Sequence, residues 1–277
     1  MEARGDVVTA RFEDGSSVEG GVLVGAEGTN SRTRQFVAPE TYKNQTLDVK
    51  LLGAAVDMTP EQVRPLRDID PLLFQGCHPD TNNFLWISML DTPATNGSAG
   101  TPDEHYKVQA ILSWPVKTAD DAAVPGTSRG RAEEMARRAA DFHPVLRDAV
   151  SLVPASEQAA ASAQEIILQD WPCLPWDNHD GLVTLTGDAA HAMTMFRGEA
   201  ANHGIMDAYH LANALAQIYN GTKTRRDAVE AYEAEMRDRT SVAVLWSREA
   251  CIGAHDYHSL DEKSAVLRRR AIKMPQD

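Results

Sequence analysis

Apolar and polar positions alternate at the start of the chain. VVTARFE takes side chains to opposite faces in turn, DGSS follows as a turn, and VEGGVLVGAEG begins a second extended run ending in glycines, which predicts a hairpin. SRTRQF then reads as a short helix capped by Asn30 or Ser31. From about Leu47 to Lys117, the segments TLDVKLLGAAVDM, PLLFQG, NNFLWISMLD and HYKVQAILSWPVK predict the strands of an antiparallel sheet. A short helix at TPEQVRPLRDI and a Gly/Ser/Thr-rich loop at TPATNGSAGTPDE interrupt them. Residues 128–153 carry helix formers with a break near Pro144, and QEIILQDWPCL returns to extended backbone. DGLVTLTGD is a short continuous apolar run, the pattern of a strand covered on both faces in a parallel sheet. Behind it Ile205, Tyr209, Ala212, Leu215 and Tyr219 recur at helical spacing up to Asn220-Gly221. Thr224 with Asp227 starts a last long helix through Val229, Tyr232 and Met236 towards Trp246. The order of strands, sheet, helices, strand and helices predicts an α/β or α+β fold.

Composition narrows the function classes. With 277 residues, 43% of them hydrophobic, the chain can bury one large or two modest cores. No apolar run reaches the roughly 18 residues of a membrane-spanning helix, and the first residues lack a signal-peptide pattern, so a soluble cytoplasmic protein is expected. Cys77, Cys173 and Cys251 are odd in number and far apart, and neither CxxC nor HExxH occurs, so no disulfide framework and no metal site is expected. A net charge of −13 argues against a nucleic-acid partner, because neutralising phosphates needs clustered Lys and Arg. Arg268-Arg269-Arg270 reads as a solvated tail.

The chemistry concentrates in residues 181–215. Asp188, preceded by Gly187, stands at the mouth of the buried strand, where a short carboxylate accepts hydrogen bonds from hydroxyls lodged in the crevice; nucleotide sugars are natural partners. Taken alone, such an aspartate is more often a turn former or helix cap. The helix beginning near Gly198 to Asn202, with Ala200 and Ala201 between, offers unpaired amides and the positive end of its dipole to a negatively charged group. A carboxylate for a ribose or ribityl chain and an amide turn for an anionic ring edge together suit a flavin nucleotide.

GDAAH, then GEAAN eleven residues on, then DA leading an apolar helix resemble the ribityl-binding motif of the FAD-dependent aromatic hydroxylases, monooxygenases of the para-hydroxybenzoate and salicylate hydroxylase type. VLVGAEGTNSRTR resembles that family's second fingerprint, with Gly25, Ala26, Gly28, Ser31 and Arg34 matching. FQGCHPDTNNFLWISMLDTPATNG, ILSWPVK, DWPCLPWDN and EAYEAEMRDRT look like its fungal members, so the resemblance covers nearly the whole chain. It implies FAD as cofactor, NAD(P)H as co-substrate, and hydroxylation or epoxidation of a small aromatic or unsaturated molecule. Asp188 and Gly187 are then expected at the ribityl chain, the amides of Gly198, Ala200, Ala201 and Asn202 at the flavin ring edge, and Arg34 and Glu27 along the dinucleotide path. The implied organisation places part of the FAD-binding domain in residues 1–45, a substrate sheet with helices in 46–170, and the return of the FAD-binding domain with C-terminal helices in 171–277. The fold class is thus an incomplete flavin-monooxygenase fold: a remnant of the FAD-binding parallel sheet plus an antiparallel substrate sheet.

Several positions depart from the pattern. Glu27 stands where the family has Asp, Ala200 occupies its second glycine, and the proline usually found soon after GDAAH is absent. More consequentially, no GxGxxG occurs, although the family begins with a strand, turn and helix of that type whose amides hold the FAD pyrophosphate. Weak or no FAD binding by this chain alone is therefore expected, and a truncation or a start at an internal methionine is favoured over a naturally short protein. His191 is expected to be packed or bonded to the turn. Arg197 is expected to face solvent, with pairing to a substrate carboxylate as the functional alternative; Trp86 and Trp114 are expected in the core, with a substrate pocket as theirs. No catalytic residue is assigned. The competing reading is a flavin-free cyclase, isomerase or binding protein.

Overall fold

The computed structural model describes residues 1–155 and 162–268. The chain begins with β1 (Glu2–Arg4), β2 (Val7–Arg11), β3 (Ser17–Gly20), β4 (Leu23–Gly25), α1 (Arg32–Val37) and β5 (Gln45–Thr46). Then come β6 (Val49–Met58), α2 (Pro60–Ile69), β7 (Leu73–Cys77), β8 (Phe84–Asp91), α3 (Pro93–Asn96), β9 (Tyr106–Pro115), α4 (Ala119–Ala122), α5 (Ser128–Arg138), α6 (Pro144–Ser151) and β10 (Gln164–Glu165). β11 (Gln169–Asp170), β12 (Val183–Leu185), α7 (Asp188–His191), α8 (Ala200–Tyr219) and α9 (Arg225–Ala254) complete the order. Within the described residues these elements form two compact units, one of 1–46, 169–251 and 261–268, the other of 47–155, 162–168 and 252–260.

In the second unit, β10-β6-β9-β8-β7 form a five-stranded antiparallel sheet. Its alternation is read directly from sequence: Leu52, Ala54, Val56 and Met58 of β6, Leu85 and Ile87 of β8, and Val108, Ala110, Leu112 and Trp114 of β9 share one face. That face packs on Val63 and Leu66 of α2, Ala132 and Met135 of α5, and Ala149 and Val150 of α6. Thr59 caps α2 in a capping box with Gln62. Pro144 opens α6 rather than bending one long helix, because its missing N–H is harmless in the first turn. α3 lies within the expected loop at residues 92–104.

The first unit departs from the expected hairpin. β1, β2 and β3 form a three-stranded antiparallel sheet, and the run VEGGVLVG divides at Gly20-Gly21, where no side chain sustains the ladder. β4 then runs parallel to β12, pairing Leu23 with Val183, Thr184 with Val24, and Gly25 with Leu185. Leu182, Val183 and Leu185 pack with Val37, Leu211, Ala214, Tyr232 and Met236. Of the apolar spacing seen in sequence on α8, only Leu215 packs on the core; Ala212 is exposed, and Ile205, Tyr209 and Tyr219 are 68%, 52% and 83% exposed. The inward face carries His203, Met206, Asp207, Leu211 and Ala214, two of them polar and both hydrogen-bonded. Among the described residues no helix is long and apolar enough to cross a membrane. Arg269 and Arg270 of the basic cluster lie outside the described residues, and Arg268 is exposed.

Candidate functional site

Two distant segments of the first unit meet at the end of the parallel ladder. The Thr186 N–H donates to Gly25 O at 3.0 Å, extending the pairing one step beyond β12. A Cβ at Gly25 would lie 2.5 Å from Thr33 Cβ and 2.8 Å from Leu185 Cδ2, so glycine alone admits this approach of α1 to the ladder. Gly187 follows with φ 59° and ψ −142°, a conformation closed to residues bearing a Cβ, and its carbonyl accepts from the Ala190 and His191 amides. The chain therefore reverses at the strand's end and presents Asp188 as the first residue of α7.

Arg34 fastens the two segments together. Only 1% exposed, it donates through one terminal nitrogen to the carbonyls of Asp188 at 3.4 Å and Ala189 at 3.3 Å. Its other terminal nitrogen bonds Thr29 O and, at 2.8 Å, Asn44 Oδ1, while the guanidinium sits 4.9 Å from the Trp171 ring centre. Burial pushes its pKa down to about 10, and the charges of Glu27 and Asp188 work against that shift. The half-buried Asp188 carboxylate takes one long hydrogen bond, 3.5 Å from Thr29 Oγ1, which leaves acceptor capacity for the hydroxyls of a ligand.

Glu27, expected along the dinucleotide path, instead turns onto its own helix. Its carboxylate accepts Ser31 Oγ at 2.9 Å, the Thr33 amide at 2.8 Å and Thr33 Oγ1 at 2.5 Å. Burial alone would raise its carboxyl, but these bonds outweigh burial and hold it below the usual range. Ser31 in turn caps α1 by accepting from the Arg34 amide.

α8 contributes its first turn. Glu199 occupies the cap position without a side-chain bond to the helix, so the amides of Ala200, Ala201 and Asn202 keep no intrahelical acceptor. A methyl group at Gly204 would lie 3.9 Å from Gly187 Cα, which sets this end of α8 beside the Asp188 turn. Ala200 is helical, so the residue replacing the family's glycine carries no positive φ. Gly198, at φ 62° and ψ 29°, ends the short turn Met195–Arg197, and its amide, expected at the ring edge, donates instead to Met195 O at 2.9 Å.

Arg197 faces neither solvent nor a substrate carboxylate. At 3% exposure it grips Glu199 with two bonds of 2.8 and 2.9 Å and donates to Ala265 O at 2.6 Å, so its fork is committed to holding the turn. Trp114 is fully buried in the second unit, with its indole N–H on Asp121 O at 2.9 Å and Arg138 stacked 4.0 Å from its ring. Trp86 is 9% exposed on the sheet face opposite Leu85 and Ile87. His191 is fully buried and bonds Asp207 through Nε2 at 2.6 Å.

Sequence reasoning placed Asp207 in the resembled motif, as the start of DA, without giving its side chain a role, and assigned no part to Arg239, Asn44, Trp171 or Glu233. Glu233 accepts from Trp176, Thr184 and Asn178 at 3.0, 2.8 and 2.9 Å, and burial pushes its carboxyl up despite those bonds. The detectable signal was polarity at an inward helical position; Asp207 lies one residue after buried Met206 and four before Leu211.

The donor set fits the ring and ribityl end of a flavin: a carboxylate with spare acceptors, an adjacent free-amide turn, and no side chain at Gly187. Arg34 Nε and His191 Nδ1, one from each motif, are buried without a partner among the described residues.

Comparison with known proteins agrees. A family model described as FAD binding domain matches residues 1–247. The FAD-dependent monooxygenase dbaB of Emericella nidulans is 45% identical over 208 residues, covering 75% of this chain and 52% of the relative. The FAD-dependent monooxygenase cctM of Talaromyces islandicus is 30% identical over 275 residues, covering 99% of this chain and 65% of the relative. The chain thus spans about half to two thirds of the length of these relatives. Among solved structures, Klebsiella pneumoniae HpxO complexed with FAD and uric acid superposes with a TM-score of 0.70 at 20% identity, covering 92% of this chain and 57% of the other, and so shares the fold. With residues 1–247 matched and both fingerprints joined through Arg34, the chain belongs to the FAD binding domain family.

Proposed function

We propose that this chain supplies the ring-and-ribityl seat of an FAD-dependent monooxygenase that uses NAD(P)H and oxygen to hydroxylate or epoxidise a small aromatic or unsaturated molecule. The observation that carries the reading is Arg34, which bridges the Gly25 fingerprint to the Asp188 turn. When bound, the flavin supplies the redox and oxygen chemistry. The protein's part is to bind, orient and exclude water. Asp188 accepts the ribityl hydroxyls, Gly187 admits the ring close to backbone, and the amides of Ala200, Ala201 and Asn202 stabilise negative charge at the ring edge. The phosphate-bearing co-substrate finds support in a cavity of about 360 Å³ lined by Arg32, Arg34 and Lys43, with Asn30, Tyr42 and Asn44 but no carboxylate. The family match favours this reading over a flavin-free cyclase, isomerase or binding protein.

No GxGxxG occurs in these residues, and of the weak or absent FAD binding expected of the chain by itself this reading requires the weak, saturable case, carried by Asp188 and the first turn of α8. Titration with FAD, followed by flavin fluorescence, tests this. Asp188→Ala is expected to raise Kd by about 10- to 100-fold, since bonds to a charged acceptor contribute roughly 1.5–3 kcal/mol each. A substitution without effect on Kd, or no saturable binding at millimolar FAD, overturns the reading.

A further inference from the structure

The turn that presents Asp188 is gripped from outside. The Gly187 N–H, just past the parallel ladder, donates to Asp207 Oδ2 at 2.7 Å, and His191 Nε2 meets the same oxygen at 2.6 Å. One oxygen therefore holds the residue before α7 and the residue that ends it. The other oxygen, Oδ1, receives Arg239 from α9 at 2.7 Å. Arg239 is itself clamped by Glu235 at 2.8 and 3.1 Å and rests 3.0 Å from His203 Nδ1. Asp207 and His191 have no solvent exposure. Burial would raise the Asp207 carboxyl, but the bonds from His191, Arg239 and Gly187 outweigh it and keep the group ionised.

We infer that Asp207 is the positioning residue of the flavin turn, fixing Asp188 by holding both ends of α7 on one carboxylate oxygen. The inference rests on the flavin reading above. Its chemical content is that every partner of Asp207 is a donor, and each of its two oxygens faces at least one. Asparagine has the same shape but only one acceptor oxygen; the Arg239 cation claims it and turns the NH₂ group towards the Gly187 N–H, so the site requires a carboxylate rather than a volume.

Amide hydrogen exchange and FAD titration on the full chain, as wild type, Asp207→Asn and Arg239→Met, test this. Asp207→Asn is expected to speed exchange at the Gly187 amide about 100-fold beyond any change at Val183 to Leu185 or Leu211, and to raise the FAD Kd about tenfold or more. Arg239→Met leaves the Gly187 bond in place and is expected to change that amide by less than about threefold. Exchange at Gly187 that merely follows the core amides marks a general structural role and overturns the inference. So does a loosened turn with FAD affinity within about twofold of wild type. If Asp207→Asn does not fold, His191→Ala is the substitute: faster exchange across residues 188–191 supports the inference, and unchanged exchange there overturns it. Should wild type bind no FAD, the flavin reading fails by itself, and the Gly187 amide alone decides whether Asp207 holds the turn.

Discussion

In the unit built on β6 to β10, a five-stranded antiparallel sheet lays one alternating face of aliphatic side chains on α2, α5 and α6. In the other, β4 and β12 pair over three residues, and Thr184, Glu233, His191, Asp207 and Arg239 lie between or beneath the elements that carry the fingerprints. The first unit of this comparison is held mainly by apolar burial, which tolerates substitution wherever volume is kept. The second adds to its own apolar core a set of buried donors matched to acceptors, which tolerates little because an unmade bond in a dry site costs its full desolvation. The proposed flavin seat lies in the matched polar unit, where hydrogen bonds fix the direction of the groups that a ligand's hydroxyls would need and dispersion does not.

The largest effect is expected where the apolar unit loses volume. Trp114→Ala should cost about 3–5 kcal/mol, measured by denaturant unfolding, because the indole is fully buried and also supports Arg138. A cost under about 1 kcal/mol would show a site able to collapse and would weaken the contrast. Next, Gly25→Ala should cost about 1–3 kcal/mol, since its methyl would lie 2.5 Å from the β-branched Thr33 Cβ and 2.8 Å from the fully buried Leu185 Cδ2. Unlike Trp114→Ala it should also weaken FAD binding, and unchanged affinity would separate the ladder from the site.

Acidification should strain the polar unit in particular. His203 is pushed down to about 4 by burial, the Arg239 charge and His191. The unfolded chain takes up this proton near pH 6.5, so the folded state is favoured above that pH and loses stability as pH falls towards 4, by at most about 1.4 kcal/mol per pH unit. Asp207, with its lowered carboxyl, adds loss in the same direction at still lower pH. Glu233 has the opposite sign: its raised carboxyl contributes below its ordinary 4.5, and the contribution fades as pH rises. Unfolding measured between pH 4 and 7 should show the His203 slope in wild type and a flatter curve in His203→Gln; identical slopes would contradict the assignment. At the small end, Lys107→Ala should shift stability by no more than about 0.5 kcal/mol, because its pair with Asp57 lies in solvent at 42% and 56% exposure.

The same contrast explains what could be read in advance. The alternation of residues 47–117 revealed the antiparallel sheet because each inward position was apolar. A cap of α1 at Asn30 or Ser31, of which the structure uses Ser31, and the continuous run before Asp188 as a parallel strand were legible from local pattern too. The apolar spacing on α8 held at Leu215, which packs on the core, and misled at Ile205, Tyr209 and Tyr219, which are exposed while Asp207 and His203 are buried. A polar residue reads as surface in one dimension, and only partners brought from α7 and α9 make its burial favourable. Glu27 and Arg197 illustrate the converse: both lie in the motifs, yet their own neighbours, Thr33 and Glu199, occupy the groups that seemed available to a ligand.

The most direct test of the account is FAD titration of the chain followed by backbone amide chemical shifts. The expected result is saturable change at Gly187, Asp188, Ala200, Ala201 and Asn202, with the strands of the antiparallel sheet unmoved by comparison. Shifts absent from those five residues, or confined to other surfaces, would contradict the assignment of this turn as the flavin seat.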